Sequence, residues 1–274
     1  MYRSFSAWLF ALTFALLVRS SPVAGDDEQI VVSLADTADK PDYDYRNGEL
    51  PPTENTEGWI DPRLNGGRFI DFTTRRLGEP LNIIISALSD PYVLEEAGFR
   101  EYAQSIGFAG ECMGLHYGNI HNADLGDGLG RKPEHMLVRQ HYFPIAGTCW
   151  ESVRGGHHFR AWRQNGTLAN SGAWFIGCVT PCVLRLCTAL TPPPPPGSAS
   201  KEKDSSRNHR IDEDGYNIGR DFFVERATAG SHWRGKWWRA EVEWRHGLMP
   251  RGRRGINHGI PVDGRVAVLT ITRL

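Results

Sequence analysis

Leu81-Asn82-Ile83-Ile84-Ile85-Ser86 is the stretch whose reading decides the fold. Its β-branched run is short for a helix and suits a strand buried on both faces. Ser89-Asp90-Pro91 follows at once, an N-cap with proline just inside. Val93, Leu94, Ala97, Phe99 and Tyr102 then recur at helical spacing until Gly107. A strand feeding an amphipathic helix opens an α/β or α+β domain.

Working outward toward the C-terminus, residues 157–163 alternate around Phe159 and Ala161. Asn165-Gly166 predicts a hairpin turn, because both residues tolerate positive φ, and residues 173–176 supply the return strand. Residues 216–228 have helical spacing through Ile218, Phe222 and Val224. Over 237–244, Trp238, Ala240, Val242 and Trp244 face one way, and Arg239, Glu241 and Glu243 the other. A last strand over 265–271 follows the Asp263-Gly264 turn. The expectation is one mixed β-sheet domain of α/β (or α+β) class over 72–274, with two or three packed helices.

Toward the N-terminus, residues 26–71 are acidic and read as a disordered spacer, since like charges repel and little apolar surface is available to bury. Residues 1–25 combine Arg3, an apolar run over 7–18 and the small residues Val23-Ala24-Gly25. This is the pattern of a cleaved signal peptide, and it points to a secreted, extracellular protein. No second apolar run reaches the roughly 20 residues a membrane span needs, so the mature chain is expected to carry no transmembrane segment. A formal net charge of -1 gives no bulk attraction for nucleic acid. The partner expected is an unidentified extracellular ligand.

Residues 178–198 break the pattern. Three of the five cysteines lie here, followed by five consecutive prolines, 192–196, which cannot pair inside a sheet. The segment reads as a non-native insertion, a translated intron or gene-model error, with a real surface loop as the alternative. Cys112 and Cys149 remain and are expected to form a disulfide, which over a loop of about 37 residues contributes on the order of 3–4 kcal/mol in the chain-entropy model. Asn165-Gly166-Thr167 is an N-glycosylation acceptor sequence on an expected turn.

Residues 114–128 form a glycine-rich polar loop. His116, His121, Asp124 and Asp127 offer nitrogen and oxygen ligands for a divalent metal, although Asn and Asp in such loops also satisfy turn backbone. His158, Arg160 and Trp162 alternate onto one strand face, where Arg and His can bind an anion or pair locally. Asp212 and Asp214 precede a helix, where N-capping accounts for one of them. No nucleophile elbow, zinc-protease helix or phosphate-cradling loop is present.

Gly130-Arg131-Lys132-Pro133-Glu134, His157-His158-Phe159-Arg160-Ala161-Trp162, Asn208-His209-Arg210-Ile211-Asp212 and Arg220-Asp221 together resemble the LssY-like C-terminal domain, as in secreted fungal proteins with a signal peptide. The resemblance covers roughly residues 80–230. It implies an α/β domain without an established activity, and marks His158, Arg160, Trp162, His209, Asp212, Arg220 and Asp221 as candidate ligand-binding positions. Three functions follow as expectations. The first is binding of an anionic extracellular ligand through a His/Arg/Trp pocket. The second is metal-assisted hydrolysis of phosphate or ester bonds, and the third a structural role at the cell surface. Convergence of the histidines and carboxylates around an open cleft favours chemistry over scaffolding.

Overall fold

The computed structural model describes residues 57–116, 118–143, 146–180 and 211–274, with only the backbone of 152–154. The expected signal peptide, most of the acidic spacer, the polyproline run and His209 lie outside the described residues.

Ile83–Ile85 (β1) is a strand with both faces buried. In chain order there follow α1 (Pro91–Leu94), α2 (Glu96–Ser105), β2 (Phe108–Gly110), β3 (Asn122–Asp124), β4 (Arg131–Pro133), β5 (Met136–Gln140) and α3 (Gly147–Arg154). Then come β6 (His158–Arg163), β7 (Trp174–Val179), α4 (Gly215–Thr228), β8 (Ser231–Trp233), β9 (Lys236–Arg245) and β10 (Val266–Arg273). The main sheet runs β2-β5-β6-β7-β1-β10-β9-β8, with β3 and β4 as a separate ladder. β1 pairs parallel with β10 and antiparallel with β7, so the sheet is mixed and the fold is α/β.

The sheet carries a core on each face. On the first, Phe99 and Tyr102 of α2 and Phe223 and Ala227 of α4 pack on Ile83, Ile85, Phe159, Trp174 and Trp238. The second core joins Ile84, Trp162 and Phe175 to Trp59, Phe69, Tyr216, Ile256 and Val262. With both faces covered, β6 and β7 are buried almost throughout, whereas β9 at the far side keeps the alternation its sequence predicts.

Four details depart from the sequence reading. Packed structure begins before residue 72: Trp59 and Phe69 are buried, so the described part of the expected spacer, 57–71, belongs to the domain. The expected helix after Pro91 is two helices. Asp90 does cap it through the Tyr92 N–H, but Glu95 is extended, and Gly98 packs so close to the Tyr92 carbonyl that a Cβ would overlap it. Asn165-Gly166 forms no tight turn; β6 and β7 are joined by residues 164–173, and Gly166 instead permits close approach to the Asp127 carbonyl. Finally, Cys178 and Val179, assigned above to the insertion, complete β7 and are buried. The Cys178 N–H donates to Asn82 and its thiol to the Gly219 carbonyl. Four helices are present among the described residues.

Candidate functional site

Because side chains alternate along β6, Phe159 and Ala161 enter the first core and His158, Arg160 and Trp162 face the second side of the sheet. On β5 the same face carries Arg139, paired across the ladder with His158. The two guanidiniums each meet carboxylates brought from elsewhere. Arg139 reaches Glu111 at 3.3 Å and Glu151 of α3 at 3.1 Å. Arg160 is ion-paired with Glu134, whose other oxygen accepts the His121 N–H at 2.6 Å. His121 Nδ1 lies 2.8 Å from Asp71 Oδ2 and 3.9 Å from Glu79 Oε2. Asp71 is held in turn, its Oδ1 accepting the Glu79 N–H at 2.7 Å and the Thr73 hydroxyl at 3.2 Å.

Five carboxylates, Asp71, Glu79, Glu111, Glu134 and Glu151, thus surround two guanidiniums, each carboxylate side chain at most 11% exposed. Burial pushes the Asp71 and Glu134 carboxyls up. For Glu79 burial is outweighed by His121, Arg160, His158 and His258, and its pKa falls. At His121 burial is likewise outweighed, here by the bond to Asp71 and the charge of Glu79, and the imidazole lies above its ordinary value. His158 goes the other way. Burial lowers it despite Glu151 at 3.6 Å, and its Nδ1 has no hydrogen-bond partner among the described residues.

Beside this group lies a cleft of about 420 Å³, lined by Arg100, Glu111, His116, Ile120, Glu134 and His135 among others. Glu111 and Glu134 belong to both. The cleft wall is pinned by the expected disulfide: Cys112 and Cys149 are bonded, with Cα atoms 4.6 Å apart, and tie the turn after Glu111 to the helix carrying Glu151.

The residues singled out from sequence fall into separate places. Of the proposed metal ligands only His121 joins the carboxylate cluster. His116 pairs with Glu111 at 2.8 Å, Asp127 is buried against Lys132, and Asp124 accepts the Gly126 N–H. His158, Arg160 and Trp162 share one face, but Trp162 is wholly buried and lines no opening. Arg220 is spent on Asp221 and Asp263 and lies 5.1 Å from the Trp244 ring, while Asp212 accepts the Asp214 N–H before α4. Arg160 and Arg220 therefore serve two different ion-pair groups. Asn165 is exposed, its Oδ1 accepting from Lys132 at 3.1 Å.

Asp71, Glu79, Glu111, Glu134 and Glu151 were not among the candidates. Glu134 closes the first motif of the LssY-like resemblance, so a signal for it existed. Asp71 and Glu79 sit in irregular chain, where no periodicity marks a side chain as inward-facing. No family model, curated protein or solved structure matches this chain.

Proposed function

We propose that the protein is an extracellular binding domain whose cleft takes a small, positively charged, amine-bearing ligand against Glu111 and Glu134. One observation carries this reading: five buried or nearly buried carboxylates outnumber the two guanidiniums and the His121 imidazole among them, and two of the five, Glu111 and Glu134, line a cleft of about 420 Å³ together with Arg100. Such an excess of one sign in a low-dielectric wall attracts the opposite sign. The anionic ligand expected from His158, Arg160 and Trp162 is less well supported, because Arg160 does not line the cleft and Trp162 is enclosed. Both cleft carboxylates are held by buried arginines, which pre-organises them and reduces the entropy lost on binding.

Action outside the cell is part of the proposal. The Cys112–Cys149 bridge supports it, since such bonds persist in oxidising compartments. No helix among the described residues is long and apolar enough to cross a membrane. The LssY-like resemblance is kept as a proposal of kinship and contributes no activity.

The test is thermal stability of the full chain against putrescine, spermidine, choline, phosphate and sulfate. An amine at a hundredfold excess over its Kd adds about 2.7 kcal/mol, a shift of roughly 5–10 °C for a domain this size. The shift should vanish in Glu134→Gln and weaken in His116→Ala. Stabilisation by phosphate or sulfate alone, or by none of the five, overturns the reading.

A further inference from the structure

Asp71, Glu79 and His121 come from two stretches far apart in sequence, yet their ligand atoms all lie within 4.8 Å of one another, and all three are buried. We propose that this trio is a binding site for a divalent transition-metal ion, zinc before the others. The inference does not depend on what occupies the cleft.

The chemistry of the donor set argues for it. Once the His121 imidazole gives up its proton to ligate, it and the two carboxylates carry a charge that one divalent ion cancels. A mixed nitrogen and oxygen set suits zinc or its first-row neighbours, whereas calcium and magnesium prefer oxygen alone. Bonds of about 2.0–2.2 Å place tetrahedral ligands roughly 3.3–3.5 Å apart. His121 Nδ1 stands 2.8 Å from Asp71 Oδ2 and 3.9 Å from Glu79 Oε2. Side-chain adjustments of about 1 Å therefore bring the trio to coordination distance.

The ligands are also held as metal ligands are held, by outer hydrogen bonds. Asp71 Oδ1 is fixed by the Glu79 N–H and the Thr73 hydroxyl, leaving Oδ2 toward the imidazole. Glu134 fixes the His121 backbone and is itself paired with Arg160. Through that bond a metal at the trio would steady the cleft wall. His116, Asp124 and Asp127 are engaged elsewhere, so the site is not the glycine-rich loop that the sequence suggests.

The experiment uses the full chain without a histidine tag, equilibrated with zinc and freed of excess by gel filtration. Elemental analysis should find one tightly held equivalent, and removal by EDTA should lower Tm reversibly. Glu79→Gln and His121→Gln should each weaken zinc binding about 100-fold or more, while His116→Gln binds as wild type. Cobalt should give weak visible bands without sulfur charge transfer. Should either variant fail to fold, ring-nitrogen NMR of the wild type decides: zinc must shift His121 and spare His116 and His158. No retained metal and no Tm response to manganese, cobalt, nickel or zinc would overturn the site, as would Glu79→Gln and His121→Gln binding like wild type. Cleft binding of amines is read separately, so either proposal can fail alone.

Discussion

Replacing Arg160 by Met removes one of the two guanidiniums from the carboxylate group while keeping most of the aliphatic volume. Arg160 is buried on β6, and its ion pair with Glu134 leaves that carboxylate, among the described residues, only the His121 N–H as a further donor. Breaking a buried pair from one side costs about 3–5 kcal/mol, mostly because the remaining charge is left without its partner. Glu79 loses a neighbouring positive charge as well. For a domain of this size the loss corresponds to roughly 10 °C in Tm. Arg160→Met/Glu134→Gln should recover much of it, since both charges leave together. The assay is urea unfolding followed by tryptophan fluorescence, with the two single variants and the double closing a cycle. A coupling energy of about 2 kcal/mol or more is expected. Arg160→Met within about 0.5 kcal/mol of wild type, or a double variant as costly as the two singles summed, refutes the reasoning.

Three further outcomes follow from other parts of the fold. Reducing the Cys112–Cys149 bridge, or replacing both by Ser, should cost about 4 kcal/mol for its 37-residue separation; an unchanged urea midpoint would contradict this. Burial, with smaller contributions from the neighbouring charges His158 and Arg226, drives the His157 imidazole down to about 4. Because the unfolded chain then takes the proton first, stability is full above about pH 6.5 and falls as pH drops toward 4. The loss is about 1–2 kcal/mol after allowance for partial solvent screening, and a pH series on His157→Gln should lack it. Asp263 titrates below its ordinary value, burial being outweighed by its bonds to Arg220, so its contribution persists above about pH 4 and is lost as pH falls through the lowered pKa. Asp263→Asn should leave the buried Arg220 under-paired and cost about 1–3 kcal/mol at pH 7, measured by the same unfolding assay.

What could be read from sequence was what periodicity writes. The isoleucine run of β1, the alternation of β9 and the helical spacing of α4 appear where the residues place them, because burial on a regular element repeats at a fixed interval. The Cys112–Cys149 pair was reached by setting Cys178 aside with the insertion, whereas the structure keeps Cys178 in β7 as a buried free thiol. The break between α1 and α2 was not, since it arises from Gly98 packing on the Tyr92 carbonyl, a contact no propensity encodes. The continuation of β7 through Cys178 and Val179 was masked by the proline run beyond it. For the site, the β6 alternation correctly put His158 and Arg160 on one face, yet their partners come from loops and from a neighbouring helix. Arg160 reads alone as a cation waiting for an anion; Glu134 already supplies that anion, and Glu134 rather than Arg160 lines the cleft.

A two-dimensional NMR titration of the isotopically labelled full chain with spermidine distinguishes a cleft for amines from one for anions. Saturable shifts are expected at Gly110, Glu111, His116, Glu134 and Leu137 around the cleft, absent when sulfate replaces the amine. Shifts centred on Arg220, Trp244 and Asp263, or a response to sulfate in place of spermidine at Glu134, would contradict it.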